Sequence, residues 1–391
     1  MCQASDALRA TAAGVGPVAS VVAAQRPGRR APRSVVADER LILLGTAGGS
    51  NPKSTRAGFA NAIVVGDDAY ILDCGEGSNS QAWKAGIVTN SHRRREGGST
   101  VRTICFTHLH SDHVIDYANF LLGFWPSHAI DVYGPGESGL PITGYPPERV
   151  VPLRFPDQPT PGTTTMTELL FRAFAYNINV RMADEGRDDV VGKVRTHEIG
   201  VAHGTYSPDI DLGVSASGLS PETAAPDMDP VVIRPTDDRG VTISVALVQH
   251  APVFPALGYR FDTPNGSVAF SGDTGPCDNV VRLAAGADVL VHEVIDLEFL
   301  GRRVAKLPNR DAVISHLASS HTSPEDAARI AQRAGVRTLV LSHLVPGDDE
   351  FPEEYWESRA RPFFDGEIVC GVDLDEFALG PTVDAGDGRR S

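Results

Sequence analysis

From about residue 39 onward the chain alternates short apolar runs with glycine-rich turns, and most runs have the length of a strand. Residues 41–44 lead into Gly45-Thr46-Ala47-Gly48-Gly49, while 60–65 and 69–72 bracket Gly66-Asp67-Asp68, a hairpin signal. Residues 103–106 read as a strand ending at Thr107, and 130–133 as one ending at Gly134-Pro135-Gly136. Residues 242–248 run toward His250, and 258–261 and 267–270 flank a second tight turn, Asp262-Thr263-Pro264-Asn265-Gly266. The runs 289–291 and 338–341 are apolar throughout, as expected of strands covered on both faces. Strands in both halves with helices between them predict an α/β fold: two sheets packed face to face, helices outside.

Helix signals are fewer. The clearest places Ser323 at the N-cap, Pro324 at the first helical position, Glu325 and Asp326 in the first turn, and Gly335 just past the end. Residues 157–240 break the strand rhythm. A proline-rich entry (Pro156, Pro159, Pro161) leads to a helix expected near 165–176, where Thr165 and Glu168 fit a capping box. A charged stretch rich in glycine and proline follows as far as Gly240, so 157–240 reads as an insertion over one end of the core. Residues 1–38 are rich in Ala, Val, Pro and Arg without sustained periodicity and read as a disordered leader. Within them 10–24 make only a weak secretion signal, interrupted by Gly14, Gly16 and Pro17. The expected organisation is one domain over 39–381, with a polar tail at 382–391.

Composition narrows the functional classes. A chain of 391 residues with 41% hydrophobic content can bury a large core, and nothing in it approaches the roughly 18 apolar residues of a membrane span. The net charge of −15 repels phosphate backbones at long range and weighs against a nucleic-acid partner. Cys2, Cys74, Cys105, Cys277 and Cys370 are scattered, without a C-x-x-C pair, so a reducing cytoplasm is the default location.

The chemistry concentrates in Thr107-His108-Leu109-His110-Ser111-Asp112-His113, four donors within six residues directly after a strand. Imidazole with carboxylate suits Zn²⁺, and also Mn²⁺ or Fe²⁺. Adjacent side chains on so short a turn point apart, so the loop divides naturally between two ions. His250, Asp273 and His343 each follow an apolar strand, where a rigid element can hold a ligand steady. Gly45–Gly49 are not followed by the Lys-Ser/Thr of a phosphate-binding loop and read as a strand-end turn near the site.

The H-x-H-x-D-H run resembles the signature of the metallo-β-lactamase superfamily. Further segments resemble its ribonuclease Z-like branch, which also holds arylsulfatase-type and phosphodiesterase-type members. These are Leu72-Asp73-Cys74-Gly75-Glu76, Gly258-Tyr259-Arg260, Phe270-Ser271-Gly272-Asp273-Thr274, His292-Glu293, His321-Thr322-Ser323 and Leu341-Ser342-His343. The resemblance covers roughly residues 41–380 and implies an αββα sandwich with two zinc ions per chain. It assigns His108, His110 and His250 to one ion, Asp112, His113 and His343 to the other, and Asp273 to both, with Asp73 supporting the site from outside. It implies that Asp112 orients the nucleophile, that His321 protonates the leaving group, and that Glu293 orients His321. Homodimers are common in such enzymes.

The expected reaction is attack by an activated water, shared between the ions, on an ester-type bond. The substrate preferred from the sequence is a small molecule: a sulfate ester, phosphodiester, carboxylic ester or lactone. The alternatives are tRNA 3′ processing and an inactive metal-binding homologue. Bacterial tRNA-processing members carry a protruding arm between the Gly-Tyr-Arg and Ser-Gly-Asp-Thr strands, whereas here five residues, 262–266, join them. Phe124, Trp125, Phe171, Phe174 and Tyr176 either wall an apolar substrate pocket or simply pack the insertion onto the core, two readings the sequence leaves equal.

Overall fold

A computed structural model of the chain describes residues 30–142, 150, 152–220, 224–348 and 350–380. Most of the expected leader and all of the expected tail lie outside the described residues. The first half supplies β1 (Glu39–Gly45), β2 (Ala60–Val65), β3 (Asp68–Leu72), β4 (Ile87–Val88), β5 (Ser99–Cys105), β6 (Ile130–Pro135), β7 (Val194–Gly200) and β8 (Ile210–Asp211). The second supplies β9 (Val231–Arg234), β10 (Thr242–Leu247), β11 (Leu257–Asp262), β12 (Ser267–Phe270), β13 (Val289–Ile295), β14 (Thr338–Val345) and β15 (Glu367–Cys370), and β16 (Glu376–Ala378) returns to the first sheet. The sheet orders are β16-β1-β2-β3-β5-β6-β7-β8, with β4 beside β5, and β15-β14-β13-β12-β11-β10-β9. Both sheets are mixed: antiparallel from β16 to β3 and parallel from β3 to β8, antiparallel from β9 to β12 and parallel from β12 to β15.

The apolar runs are continuous because each strand is buried on two faces. Leu41 and Leu43 of β1 point between the sheets, against a core that includes Tyr70, Tyr259, Phe261 and Phe270. Ile42 and Leu44, one residue out of phase, point to the outer face with Tyr117, Phe120 and Phe171. The second sheet is covered outside by a cluster containing Val280, Ala327, Ala331 and Trp356. Helices therefore lie outside both sheets, as expected: α1 (Ser78–Lys84), α2 (Ser111–Val114), α3 (Tyr117–Leu122), α4 (Thr163–Ala173) and α5 (Ala175–Glu185) in the first half, and α6 (Asp278–Leu283), α7 (Leu297–Arg303), α8 (Arg310–Ser320), α9 (Pro324–Ala334) and α10 (Glu353–Ala360) in the second. Among the described residues no helix is long and apolar enough to cross a membrane. The described cysteines are all free.

The capping chemistry is met at α9, where Ser323 Oγ accepts from the Asp326 amide and Gly335 takes the left-handed conformation. It is not met at α4. That helix starts two residues before Thr165, with Gly162 as N-cap and no capping side chain of its own. Glu198, from β7, accepts from the Thr164 amide at 3.0 Å instead, so a tertiary carboxylate replaces the local box. The span 157–240 contains α4 and α5, β7 and β8 on one edge of the first sheet, and β9 on the edge of the second.

Candidate metal centre

The C-terminal ends of β3, β5, β10 and β12 meet on one rim. Asp73 follows β3, the loop 107–113 follows β5, and His250 and Asp273 each stand three residues beyond β10 and β12. His343 comes from within β14, where a register shift lets it bulge out opposite Glu293/Val294. The bulge sets His343 at φ 46°, a left-handed conformation uncommon for residues other than glycine, and turns its ring toward the rim. Asp73 has φ 60° at the neighbouring corner. Such conformations persist where surrounding structure over-determines them. Gly48, in the β1 turn, makes room: a Cβ there would overlap the His343 ring and the Val345 side chain.

All seven expected donors converge. His108 Nε2 lies 2.9 Å from His110 Nδ1, which lies 3.4 Å from His250 Nε2. Asp112 Oδ2 lies 3.8 Å from His113 Nε2 and 3.6 Å from His343 Nε2. Asp273 stands between the groups. Its Oδ2 is 4.0 Å from His108 and 3.9 Å from His250, and its Oδ1 is 3.3 Å from both His113 and His343. The donors thus fall into two clusters that share one carboxylate. His113 Nε2, His343 Nε2 and Asp273 Oδ1 are buried and have no hydrogen-bond partner among the described residues. Three orphaned polar atoms aimed at one space are costly unless a cation is bound there, so the donor set fits divalent metal binding.

The orienting contacts lie behind the donors. Asp73 Oδ2 is 2.9 Å from His113 Nδ1, and Asp73 also accepts from the Thr107 amide and hydroxyl, both at 2.8 Å. His250 Nδ1 donates to the Ser320 carbonyl at 3.0 Å. Burial holds the His250 imidazole down to about 3, against the pull of Asp273. Burial also opposes ionisation of Asp273, but His343, His113 and His108 outweigh it and hold the carboxyl well below the usual range. These directions keep the His250 imidazole neutral and the Asp273 carboxylate charged, the states that ligate metal, whereas burial of His113 is outweighed by Asp273 and Asp73, which raise it well above the usual imidazole range.

Glu293, in β13, is buried and lies 2.9 and 3.0 Å from His321 Nδ1 through its two oxygens. It also accepts from the Thr274 amide at 2.7 Å, which fixes the carboxylate. Burial works against a charged His321, yet the Glu293 charge and hydrogen bond prevail, aided by Asp273 and Asp112, and raise it to about 9. His321 faces a cavity of about 280 Å³ together with Asp112, His110 and Asp273.

Two features were not found from sequence. His316, on α8, lines that cavity and its ring lies 6.4 Å from that of His321, although nothing around it in sequence marks it. None of the five aromatics lines the metal cavity: Trp125 and Phe171 pack in the core, Phe174 and Tyr176 are exposed, and Phe124 lines a separate cavity. The apolar cavity beside His110, about 440 Å³, is walled instead by prolines such as Pro141, Pro161, Pro252 and Pro255 with Leu140 and Met166.

Residues 222–344 match the model of the beta-lactamase superfamily domain. "Ribonuclease Z" of Mycobacterium bovis (strain BCG / Pasteur 1173P2) is 31% identical over 341 residues, 87% of this chain and 98% of the relative. "Ribonuclease Z" of Mycobacterium avium (strain 104) is 32% identical over 335 residues, 85% of this chain and 96% of the relative. Among solved structures, human tRNase Z, short form, matches with TM-score 0.52 at 17% identity, over 87% of this chain and 99% of that one. Zn²⁺-bound PqqB from Methylobacterium extorquens matches with TM-score 0.50 at 12% identity, over 87% and 100%. These two likenesses establish the fold.

The names of the sequence relatives overturn the preference for a small-molecule ester and the weighing of nucleic acid as a disfavoured partner. The physical reason is that net charge is a sum over the whole chain and does not fix the potential at one face. With relatives matched over nearly their whole length at this identity, the chain belongs to the ribonuclease Z family of the metallo-β-lactamase superfamily and is a metal-dependent hydrolase.

Proposed function

We propose that the protein is a dinuclear zinc endoribonuclease that removes the 3′ trailer of precursor tRNA. One observation carries this reading above the others: relatives named Ribonuclease Z align almost end to end with a chain whose His and Asp donors gather in one cavity. In this reading His108, His110 and His250 would hold one ion and Asp112, His113 and His343 the second, with the Asp273 carboxylate available to both. Bound zinc supplies Lewis acidity and acidifies water toward neutral pH. Asp112 orients the attacking water, and attack at phosphorus breaks one P–O bond of the RNA backbone. His321, whose Nδ1 is engaged by Glu293, gives its Nε2 proton to the departing oxygen.

The test is cleavage of a precursor tRNA carrying a 3′ trailer, followed through chelation and zinc re-addition. One discrete cut, lost with chelator and restored by zinc, is expected. A precursor left intact by fully zinc-loaded protein contradicts the proposal.

A further inference from the structure

An RNA-cleaving enzyme of net charge −15 needs a local surface that attracts phosphate, and the β11–β12 turn has no arm to provide one. A cluster of cations without acidic partners among the described residues lies elsewhere. The loop between β4 and β5 carries His92-Arg93-Arg94-Arg95, all exposed. Arg94 is engaged by Asp67 at 2.6 Å, but Arg93 and Arg95 have no acidic partner among the described residues. The Arg95 guanidinium lies 3.9 Å above the Trp83 ring, which in turn stacks on Phe124 at 5.0 Å between centroids. Among the described residues Lys84, next to Trp83, bonds only the neutral Gln81 side chain, at 2.8 Å. Beside this stack is a polar cavity of about 310 Å³, lined by His92, Arg93, Phe124, Arg187 and Lys193. Arg187 and Lys193 are balanced by Glu185 and Asp188, and Glu96 is the acid within the loop, so the free positive charge centres on Lys84, Arg93 and Arg95.

The position suits a second contact with a long substrate. The basic loop enters β5 at its N-terminal end and the metal loop leaves at its C-terminal end. Seven residues of strand separate the two by about 20 Å. A helical RNA whose 3′ end reaches the metal centre extends over such a distance, whereas a small ester does not. Cations interleaved with stacked aromatic rings meet the backbone of a nucleic acid, with phosphates taken by Lys and Arg independently of sequence.

We propose that Lys84, Arg93 and Arg95, steadied by the Trp83–Phe124 stack, form a backbone-docking surface for the RNA substrate at the end of the first sheet opposite the metal centre. The proposal rests on the RNA reading above. Its test is the triple variant Lys84→Ala, Arg93→Ala, Arg95→Ala, with tRNA binding followed by fluorescence anisotropy and precursor cleavage measured across a salt series. In the variant Kd and KM rise about tenfold at moderate salt, and the slope of log affinity against log salt falls by about two to three. Saturating kcat, zinc content and melting temperature stay at wild-type values. Unchanged Kd and salt slope in a folded, zinc-loaded variant overturn the docking surface. Because binding is read without turnover, that outcome is distinct from failure of the endonuclease reading, in which the wild type binds zinc but does not cut precursor.

Discussion

Asp73→Asn tests whether the contacts behind the donors govern metal affinity. Asp73 is fully buried and acts only as an acceptor, so the His113 nitrogen facing it, Nδ1 at 2.9 Å, carries the proton. The other nitrogen, Nε2, stands 3.3 Å from Asp273 Oδ1 and is the one that must be unprotonated when a metal binds. Asparagine keeps one oxygen for the Thr107 amide and places an NH₂ against His113 Nδ1. The imidazole then accepts at Nδ1 and holds its proton on Nε2, pointing at the metal position. Flipping the amide instead sets NH₂ against the Thr107 N–H, two donors face to face, at about 1–3 kcal/mol. Either way metal affinity at the Asp112/His113/His343 cluster falls about 10- to 100-fold, or about 1.4–2.8 kcal/mol. Competition with a chromophoric chelator should resolve one weakened and one nearly unchanged ion per chain. A folded Asp73→Asn protein that holds both ions as tightly as wild type would refute the tautomer argument.

Other outcomes follow from the same geometry. Chelation should lower the melting temperature by several degrees, since saturating metal contributes about 2.7 kcal/mol at a hundredfold excess over Kd; a scan indifferent to chelator contradicts the orphaned-donor argument. His321→Ala should cut kcat about 10²- to 10⁴-fold with metal content unchanged, as expected for loss of a proton donor, and equal activity would remove it from the mechanism. Gly48→Ala should displace the His343 ring, seen as reduced metal occupancy by elemental analysis with the fold intact by circular dichroism. Normal occupancy would mean the β1 turn can yield.

The donors were legible because metal chemistry packs scarce residue types into short spacings. His108, His110, Asp112 and His113 announce themselves, and His250, Asp273 and His343 stand where apolar runs end. Strands β2, β3 and β12 were equally plain, since burial on two faces leaves few polar positions. The edges were harder. β7 mixes Arg195, Thr196 and His197 with apolar residues because one side of it is half-buried, and its alignment beside β6 depends on a partner distant in sequence. The start of α4 was hidden because its cap comes from Glu198. His316 reaches the cavity only through the placement of α8, which carries no local signature. The substrate was misjudged for a related reason: a total charge of −15 conceals where the arginines gather.

The most direct measurement compares kcat/KM for a trailer-bearing precursor tRNA with kcat/KM for aryl esters, sulfate esters and small phosphodiesters on the same zinc-loaded protein. The precursor should exceed every small substrate by several orders of magnitude and be cut once, at the trailer junction. Faster turnover of a small ester, with the precursor untouched, would contradict assignment of this metal centre to RNA.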